Sequence, residues 1–265
     1  MVDIVPENCH QARSKDIRKG YAFIKGVLTE VAFQVVDGLA IYQGDINLGS
    51  AEDIESITKF VSGREHSEPF GLRLANGTWP RKTVTYCVAP DCPNQQIISQ
   101  AVAHWQANTG LNIGPLGQLC NIPVAVVPDP WPITFRRGTG CNSNIGYQGR
   151  NQTINLADGC LFGQIVHEIG HAVGLFHEQS RTDRDQYVTI EWDNIIDDQK
   201  YNFNIEPSAV MNGPYDYGSI MHYGMYDFAK DPTKPTIIPK QPGVQIGQRN
   251  GLSPGDIAAV RAMYP

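Results

Sequence analysis

Histidine and glutamate residues that could bind and use a metal ion occur together in the segment HEIGHAVGLFHE. Residues four apart share one face of a helix, so His167 and His171 can bind one ion, with Glu168 beside it. Gly174 permits the left-handed turn that ends such a helix and returns His177 as a third ligand. Three imidazoles leave one zinc coordination position open, which is typical of a catalytic site. The segment predicts a hydrolase with one Zn²⁺ per chain.

The motif and its continuation resemble those of the metzincins, and within them the astacin-like metallopeptidases. Glu178, directly after the third histidine, is an astacin feature, and the sequence SIMHY, which ends at Tyr223, is similar to the family's methionine turn and tyrosine. The resemblance implies that Met221 is an apolar floor beneath the zinc ligands and that the Tyr223 hydroxyl stabilises the substrate oxyanion. It also implies that Glu178 holds the new amino terminus that activation cleavage produces.

The same resemblance implies an α+β fold, a two-lobed metzincin catalytic domain preceded by a small propeptide. The upper lobe is expected to hold a mixed, mainly antiparallel sheet and two helices, one of them the zinc-binding active-site helix. The lower lobe is expected to be irregular chain closed by a terminal helix, with the substrate between the lobes. We assign residues 1–65 to the propeptide and residues 66–265 to the catalytic domain, with activation cleavage between about Gly63 and Asn76.

Local patterns predict several elements independently of the family. Alternating apolar residues on either side of Asp37-Gly38 predict a β-hairpin. Apolar spacing predicts a helix over residues 94–108. Ser253 is a good cap for a terminal helix that runs to about residue 263.

Two residues are candidates for the group that blocks the zinc before activation. The sequence YQGD resembles the astacin propeptide motif FxGD, which makes Asp45 the family's choice for a fourth ligand. Cys9 lies in a polar stretch, and a thiolate is the softer and stronger zinc ligand. We favour Cys9, with Asp45 anchoring the segment by hydrogen bonds. The competing interpretation is a Cys9–Cys120 disulfide that tethers the propeptide covalently.

The chain has six cysteines, which favours an oxidising destination. The resemblance implies a disulfide between Cys141 and Cys160, in the strand region before the zinc helix. Cys87 and Cys92 could close a small loop after a strand. The disulfide pattern of the family then offers no partner for Cys120.

Composition narrows the function further. The net charge of −6 and the lack of a basic stripe argue against nucleic acid, and no apolar run approaches the ~20 residues of a membrane span. The first residues, MVDIVP, have neither the positively charged region nor the apolar region of a signal peptide, although we expect a secreted, extracellular protein. The expected partners are a protein or peptide substrate and an activating protease, and the expected state is a monomer.

These observations predict a secreted zinc-dependent endopeptidase in proenzyme form, related to bacterial astacin-like proenzymes. It would hydrolyse peptide bonds by zinc-activated water, with Glu168 as general base. One alternative is a catalytically inactive binding protein on a metzincin scaffold, which the intact Glu168 disfavours. The other is a different zincin class, such as a matrix-metalloproteinase-like enzyme, which Glu178 and Tyr223 disfavour.

Overall fold

The computed structural model describes residues 14–63, 77–117, 120 and 130–265. The strands in this part of the chain are β1 Ile17–Ile24, β2 Val27–Val36, β3 Leu39–Tyr42, β4 Ile46–Ser50, β5 Thr83–Val88, β6 Asn112–Pro115, β7 Ile133–Arg137, β8 Asn142–Ser143, β9 Gln152–Leu156, β10 Val188–Ile190 and β11 Ile237–Pro239. The α-helices are α1 Ala51–Val61, α2 Gln95–Thr109, α3 Phe162–Val173 and α4 Pro254–Met263. None of the described helices is long and apolar enough to cross a lipid bilayer.

Nine strands form one sheet in the order β1-β2-β3-β4-β8-β9-β7-β5-β6 among the described residues. The pairs β5–β6, β5–β7 and β7–β9 are parallel, and β8–β9 is antiparallel. The expected mixed α+β fold is therefore confirmed, but the sheet after residue 76 is mainly parallel and not mainly antiparallel. The reason is that α2 carries the chain back between β5 and β6, so that these neighbouring strands run in the same direction.

We call residues 14–63 the amino-terminal segment. The predicted hairpin is present as β2 and β3, joined at Asp37 and Gly38, whose φ angles of 51° and 76° suit a tight hairpin turn. The segment has a small core of its own, to which the rest of the chain contributes Ile145 and Phe176. Its last strand, β4, pairs in parallel with β8 through Ile46 and Ser143. The segment thus extends the large sheet at one edge.

The main core lies between this sheet and helices α2 and α3. Trp105 of α2 is fully buried there, and its indole N–H donates to the Val166 carbonyl of α3 at 3.0 Å. The predicted helix over residues 94–108 is α2, and Gly110 ends it with a φ of 79°. This contact fixes the position of the zinc helix against the sheet.

Residues 174–253 form the lower lobe, built from 3-10 turns and the small sheet of β10 and β11. Phe203, Tyr223 and Phe228 are buried at its centre. The terminal helix α4 starts as predicted, because the Ser253 hydroxyl accepts from the Asp256 N–H at 2.9 Å. Val260 of this helix and Tyr264, which directly follows it, in contrast join the main core, so α4 packs on the upper lobe.

One predicted disulfide is confirmed and one is wrong. Cys141 and Cys160 are bonded, whereas Cys87 is bonded to Cys120, and Cys92 is a free buried thiol. Side chains alternate along a strand, so β5 directs Val84 and Tyr86 into the main core and Cys87 to its other face. Cys92 lies inside that core, whereas Cys87 is bonded to Cys120. The Cys87 bond also excludes a Cys9–Cys120 disulfide.

Candidate metal centre

Helix α3 presents the first two histidines of the motif. His167 and His171 lie one turn apart, and their ring centroids are 4.8 Å from each other. Gly174 then leaves the helix with a φ of 108°, and the Leu175 N–H donates to the Gly170 carbonyl at 2.9 Å. This turn brings the His177 ring to 4.7 Å from the His171 ring. The predicted bend at Gly174 is therefore present, and it brings the three histidines together in one site.

Each imidazole donates its Nδ1–H to an oxygen, which leaves Nε2 as the atom that faces the site. His167 donates to the Ile220 carbonyl and His171 to the Leu175 carbonyl, both at 2.8 Å. His177 donates to the Gln43 side-chain oxygen at 3.2 Å. Such outer hydrogen bonds orient metal-binding imidazoles and fix their tautomer.

Asp45 lies at the centre of the three imidazoles. Its carboxylate oxygens are 3.2 Å from His167 Nε2, 3.3 Å from His171 Nε2 and 3.0 Å from His177 Nε2. The four donor atoms lie within 4.8 Å of one another, and all four residues are buried. A tetrahedral zinc with bonds of about 2.0–2.1 Å separates its ligand atoms by roughly 3.3 Å, so the spacing suits this metal.

Unsatisfied polar atoms support the same assignment. Among the described buried side chains, Asp45 Oδ1, His171 Nε2 and Glu168 Oε2 make no hydrogen bond of acceptable geometry. Buried polar atoms are rarely left without a partner, and each of these three belongs to the predicted site. The donor set of imidazole nitrogen and carboxylate oxygen is one that zinc accepts, so the residues present fit a zinc ion.

The electrostatics of the site also suit a divalent cation. Burial lowers the pKa of His167 to about 3 and lowers the pKa of His177 as well, so these imidazoles are neutral, as metal ligands must be. Burial, reinforced by the Asp45 carboxylate, raises the pKa of Glu168 well above its ordinary value. A cation between these groups would compensate the two buried carboxylates.

The predicted methionine turn lies under the helix. Met221 is buried, and a Cβ on Gly170 would be 2.5 Å from the Met221 sulfur, so the thioether lies directly against α3. Asp256 anchors this turn, since its carboxylate accepts from the Ser219 hydroxyl at 2.6 Å and from the Ile220 N–H at 2.9 Å. The start of α4 therefore fixes the turn that carries Met221.

Tyr223 is fully buried beside the third histidine. Its ring centroid is 4.6 Å from the His177 ring, and its hydroxyl donates to the Gln43 carbonyl. His222, which precedes it, points away and hydrogen-bonds to the Tyr215 hydroxyl at 2.7 Å. The site thus holds a phenol that already binds a backbone carbonyl.

The amino-terminal segment reaches the site with the turn at residues 43–45, which joins the antiparallel strands β3 and β4. Asp45 accepts at its carbonyl from the Ser143 N–H at 3.0 Å, and the Asn47 carbonyl accepts from the Asn144 side chain at 2.8 Å. The Tyr42 hydroxyl donates to Glu206 at 2.9 Å. Because this chain lies directly over the histidines, it covers the site.

Glu178 lies beside the site and not in it. Its carboxylate accepts from the Asp216 N–H at 2.7 Å and is 3.4 Å from Arg181 Nη1. Burial raises the pKa of Glu178 to about 7, and both of these neighbours oppose the rise. A cavity of about 340 Å³ adjoins it, lined also by Pro214 and Ala259.

Sequence reasoning found the histidines, Glu168 and Asp45, but missed Gln43 and Glu206. Gln43 stands inside the YQGD motif, where its position between Tyr42 and Asp45 was the available signal. Glu206 has no comparable spacing signal, because its partner is 164 residues away along the chain. Cys9 lies outside the described residues, so its predicted role stays a prediction.

The fold and the metal site are those of a family of zinc peptidases. The family model for Astacin (Peptidase family M12A) matches residues 72–265. The solved structure of high choriolytic enzyme 1, a hatching enzyme zinc-protease from Oryzias latipes, superposes with a TM-score of 0.62. It is 33% identical and covers 71% of this chain and 94% of its own. The chain therefore belongs to the astacin family.

Two relatives of known sequence support this family assignment. Blastula protease 10 from Paracentrotus lividus is 36% identical over 235 residues, which are 84% of this chain and 38% of that protein. Nematocyst expressed protein 6 from Nematostella vectensis is 30% identical over 260 residues, 93% of this chain and 85% of that protein. The chain thus spans less than half of blastula protease 10. The expectation of a bacterial type is not supported, because these relatives are animal proteins.

Proposed function

We propose that the chain is a secreted zinc endopeptidase in proenzyme form. The observation that carries the proposal is the convergence of three imidazole Nε2 atoms beside Glu168, in a cleft that the amino-terminal segment covers. Protein or peptide substrates are what its family membership supports. The two disulfides support an extracellular destination, and we propose a monomer.

The chemistry follows from the side chains of the site. Zinc held by His167, His171 and His177 would supply a Lewis acid that acidifies water and polarises the scissile carbonyl. Glu168 accepts the proton of the attacking water at its carboxylate and passes it to the leaving amine. Tyr223, whose hydroxyl donates to the Gln43 carbonyl, donates to the oxyanion of a substrate in that place.

Latency follows from the chain that occupies the cleft. Residues 1–65 act as the propeptide and residues 66–265 as the catalytic domain. Asp45 acts as the blocking ligand, supported by its distances of 3.0–3.3 Å to the imidazoles. This choice reverses our preference for Cys9, which rested on its polar surroundings and on the softness of a thiolate ligand.

Activation requires another protease to cut between about Gly63 and Asn76. The new amino terminus then pairs with Glu178, whose buried carboxylate has a cavity beside it. In the uncut chain the partners of the Glu178 carboxylate are Arg181 and the Asp216 N–H.

The direct test removes the first ~65 residues by limited proteolysis and measures zinc content and casein hydrolysis. We expect the processed protein to bind one zinc and cleave casein. Glu168→Ala should keep the metal and lose about three orders of magnitude in rate, because only the proton acceptor is removed. His171→Ala should lose zinc and activity together. Near-normal turnover by Glu168→Ala would contradict the mechanism.

A second test concerns the blocking ligand. Asp45→Ala should give the uncut chain measurable peptidase activity, whereas Cys9→Ser should stay latent. If Cys9→Ser is active and Asp45→Ala is not, the thiolate is the blocking ligand.

A further inference from the structure

Glu206 is a buried carboxylate at the cleft that the proposed mechanism does not use. Its side chain is fully buried, and its N–H donates to the Ser180 carbonyl at 2.7 Å. The Ser180 hydroxyl in turn donates to the His177 carbonyl at 2.7 Å. These contacts hold Glu206 next to the chain that carries the third histidine.

The two oxygens of Glu206 differ in what they face. Oε1 accepts from the Ser208 N–H at 3.0 Å and from the Ser208 hydroxyl at 2.5 Å, both local to its own loop. Oε2 accepts from the Tyr42 hydroxyl at 2.9 Å, which belongs to the amino-terminal segment. Removal of the segment would therefore take away the partner of Oε2 and leave the local contacts in place.

A lysine of the amino-terminal segment also interacts electrostatically with Glu206. Lys25 lies at the tip of the β1–β2 hairpin, with its ammonium 4.7 Å from the centroid of the Phe176 ring. Burial lowers the pKa of Lys25, and the charge of Glu206 opposes that effect. No ion pair within 4.0 Å involves Glu206 in the part of the chain that the structure describes.

We propose that Glu206 forms the base of a substrate subsite that binds a basic side chain, lysine or arginine, where Tyr42 lies in the uncut chain. The inference rests on the proposed function, since it assigns a specificity to the same cleft. A buried carboxylate that loses its donor is unfavourable, and a cationic donor satisfies both its charge and its hydrogen bond. The phenol of Tyr42 supplies only the hydrogen bond. It therefore occupies the proposed subsite without providing a positive charge.

The test compares two peptide series that differ only in charge. One arginine is moved along an otherwise neutral fluorogenic peptide, and the matched series carries citrulline, a neutral isostere. We expect the processed protein to prefer arginine at one position by about tenfold in kcat/KM. Glu206→Gln should bring that ratio close to one. Asp198→Asn removes an exposed carboxylate of the same lobe and should leave the ratio unchanged.

A binding measurement separates this inference from the proposed function. In processed Glu168→Ala protein, fluorescence anisotropy should show tighter binding of the arginine peptide than of the citrulline peptide, and Glu206→Gln should abolish the difference. Charge-dependent binding without turnover in the Glu168-intact protein would support the subsite and contradict the peptidase. Turnover with an arginine preference that survives Glu206→Gln, or with no preference at any position, would overturn the subsite. If Glu206→Gln does not fold, Glu206→Asp replaces it as the test variant. This change withdraws the negative charge by one methylene and should weaken the preference for arginine.

Discussion

At the scale of single residues, the metal site depends on what each histidine does with its second nitrogen. His167 and His171 donate to carbonyls at 2.8 Å that belong to the proposed catalytic domain. His177 donates to Gln43 of the amino-terminal segment at 3.2 Å. The third ligand is therefore held by a group that activation would remove.

Tyr223 gives a prediction at this scale. Tyr223→Phe in the processed protein should keep zinc and lower kcat by about two orders of magnitude, because one donor to the oxyanion is lost. Steady-state kinetics and zinc analysis measure both quantities. Tyr226→Phe alters an exposed phenol in the same lobe and is the control. Unchanged kcat in Tyr223→Phe would mean that the hydroxyl has no catalytic role.

At the scale of elements, α3 is placed by close contacts at both ends. Near its start, a Cβ on Gly163 would overlap the Arg249 carbonyl, and near its end Gly170 lies against Met221. Arg249 belongs to the lower lobe and also donates to the Ile220 carbonyl at 3.2 Å. The zinc helix therefore docks on the lower lobe through two glycines.

Gly163→Ala should test this docking. Alanine favours a helix over glycine by up to about 1 kcal/mol, but the overlap with backbone should cost more, for a net loss of about 1–3 kcal/mol. Urea unfolding gives the free energy. Gly114→Ala, where nothing lies within 4 Å of the added Cβ, is the matched control. Equal stability of the two variants would show that the contact can relax.

The Cys141–Cys160 bond gives a second prediction for an element. It joins the start of β8 to the residue before the α3 cap, across a sequence separation of 19. Replacing both cysteines by serine should cost about 3 kcal/mol, on the chain-entropy estimate. Cys92→Ser removes a thiol that is free in the described structure and should cost less. The comparison is made by urea unfolding, and a larger loss of stability in Cys92→Ser would contradict a stabilising role for the disulfide.

At the scale of the whole molecule, local features could be predicted from the residues, whereas long-range contacts could not unless the family resemblance supplied them, as it did for Asp45. The zinc helix, its bend and the Asp37-Gly38 hairpin depend on neighbouring residues, so spacing and turn chemistry were sufficient. The Cys87–Cys120 bond depends on which face of β5 turns toward the core, and that is decided by packing. Gln43 and His177 are 134 residues apart, and no spacing indicates such a contact.

The amino-terminal segment leads to a prediction for the whole chain. It buries the site and supports His177, so the intact chain should release zinc to a chelator about tenfold more slowly than the processed chain. A colorimetric zinc dye follows the release after addition of chelator. Gln43→Ala in the intact chain should release zinc faster than wild type, whereas a variant of the exposed residue Lys19 should not. Equal rates before and after processing would contradict a supporting role for the segment.

The parallel pairing of β4 with β8 has a consequence for solubility. When the amino-terminal segment leaves, β8 becomes the edge of the sheet, and unpaired edges of sheets invite other chains to add strands. Here the edge strand is only Asn142–Ser143, and both residues are polar. So short an edge can receive one extended peptide but offers little length for joining the sheets of two molecules. We therefore expect the processed protein to show no growth in light scattering at concentrations where proteins with long bare edges aggregate.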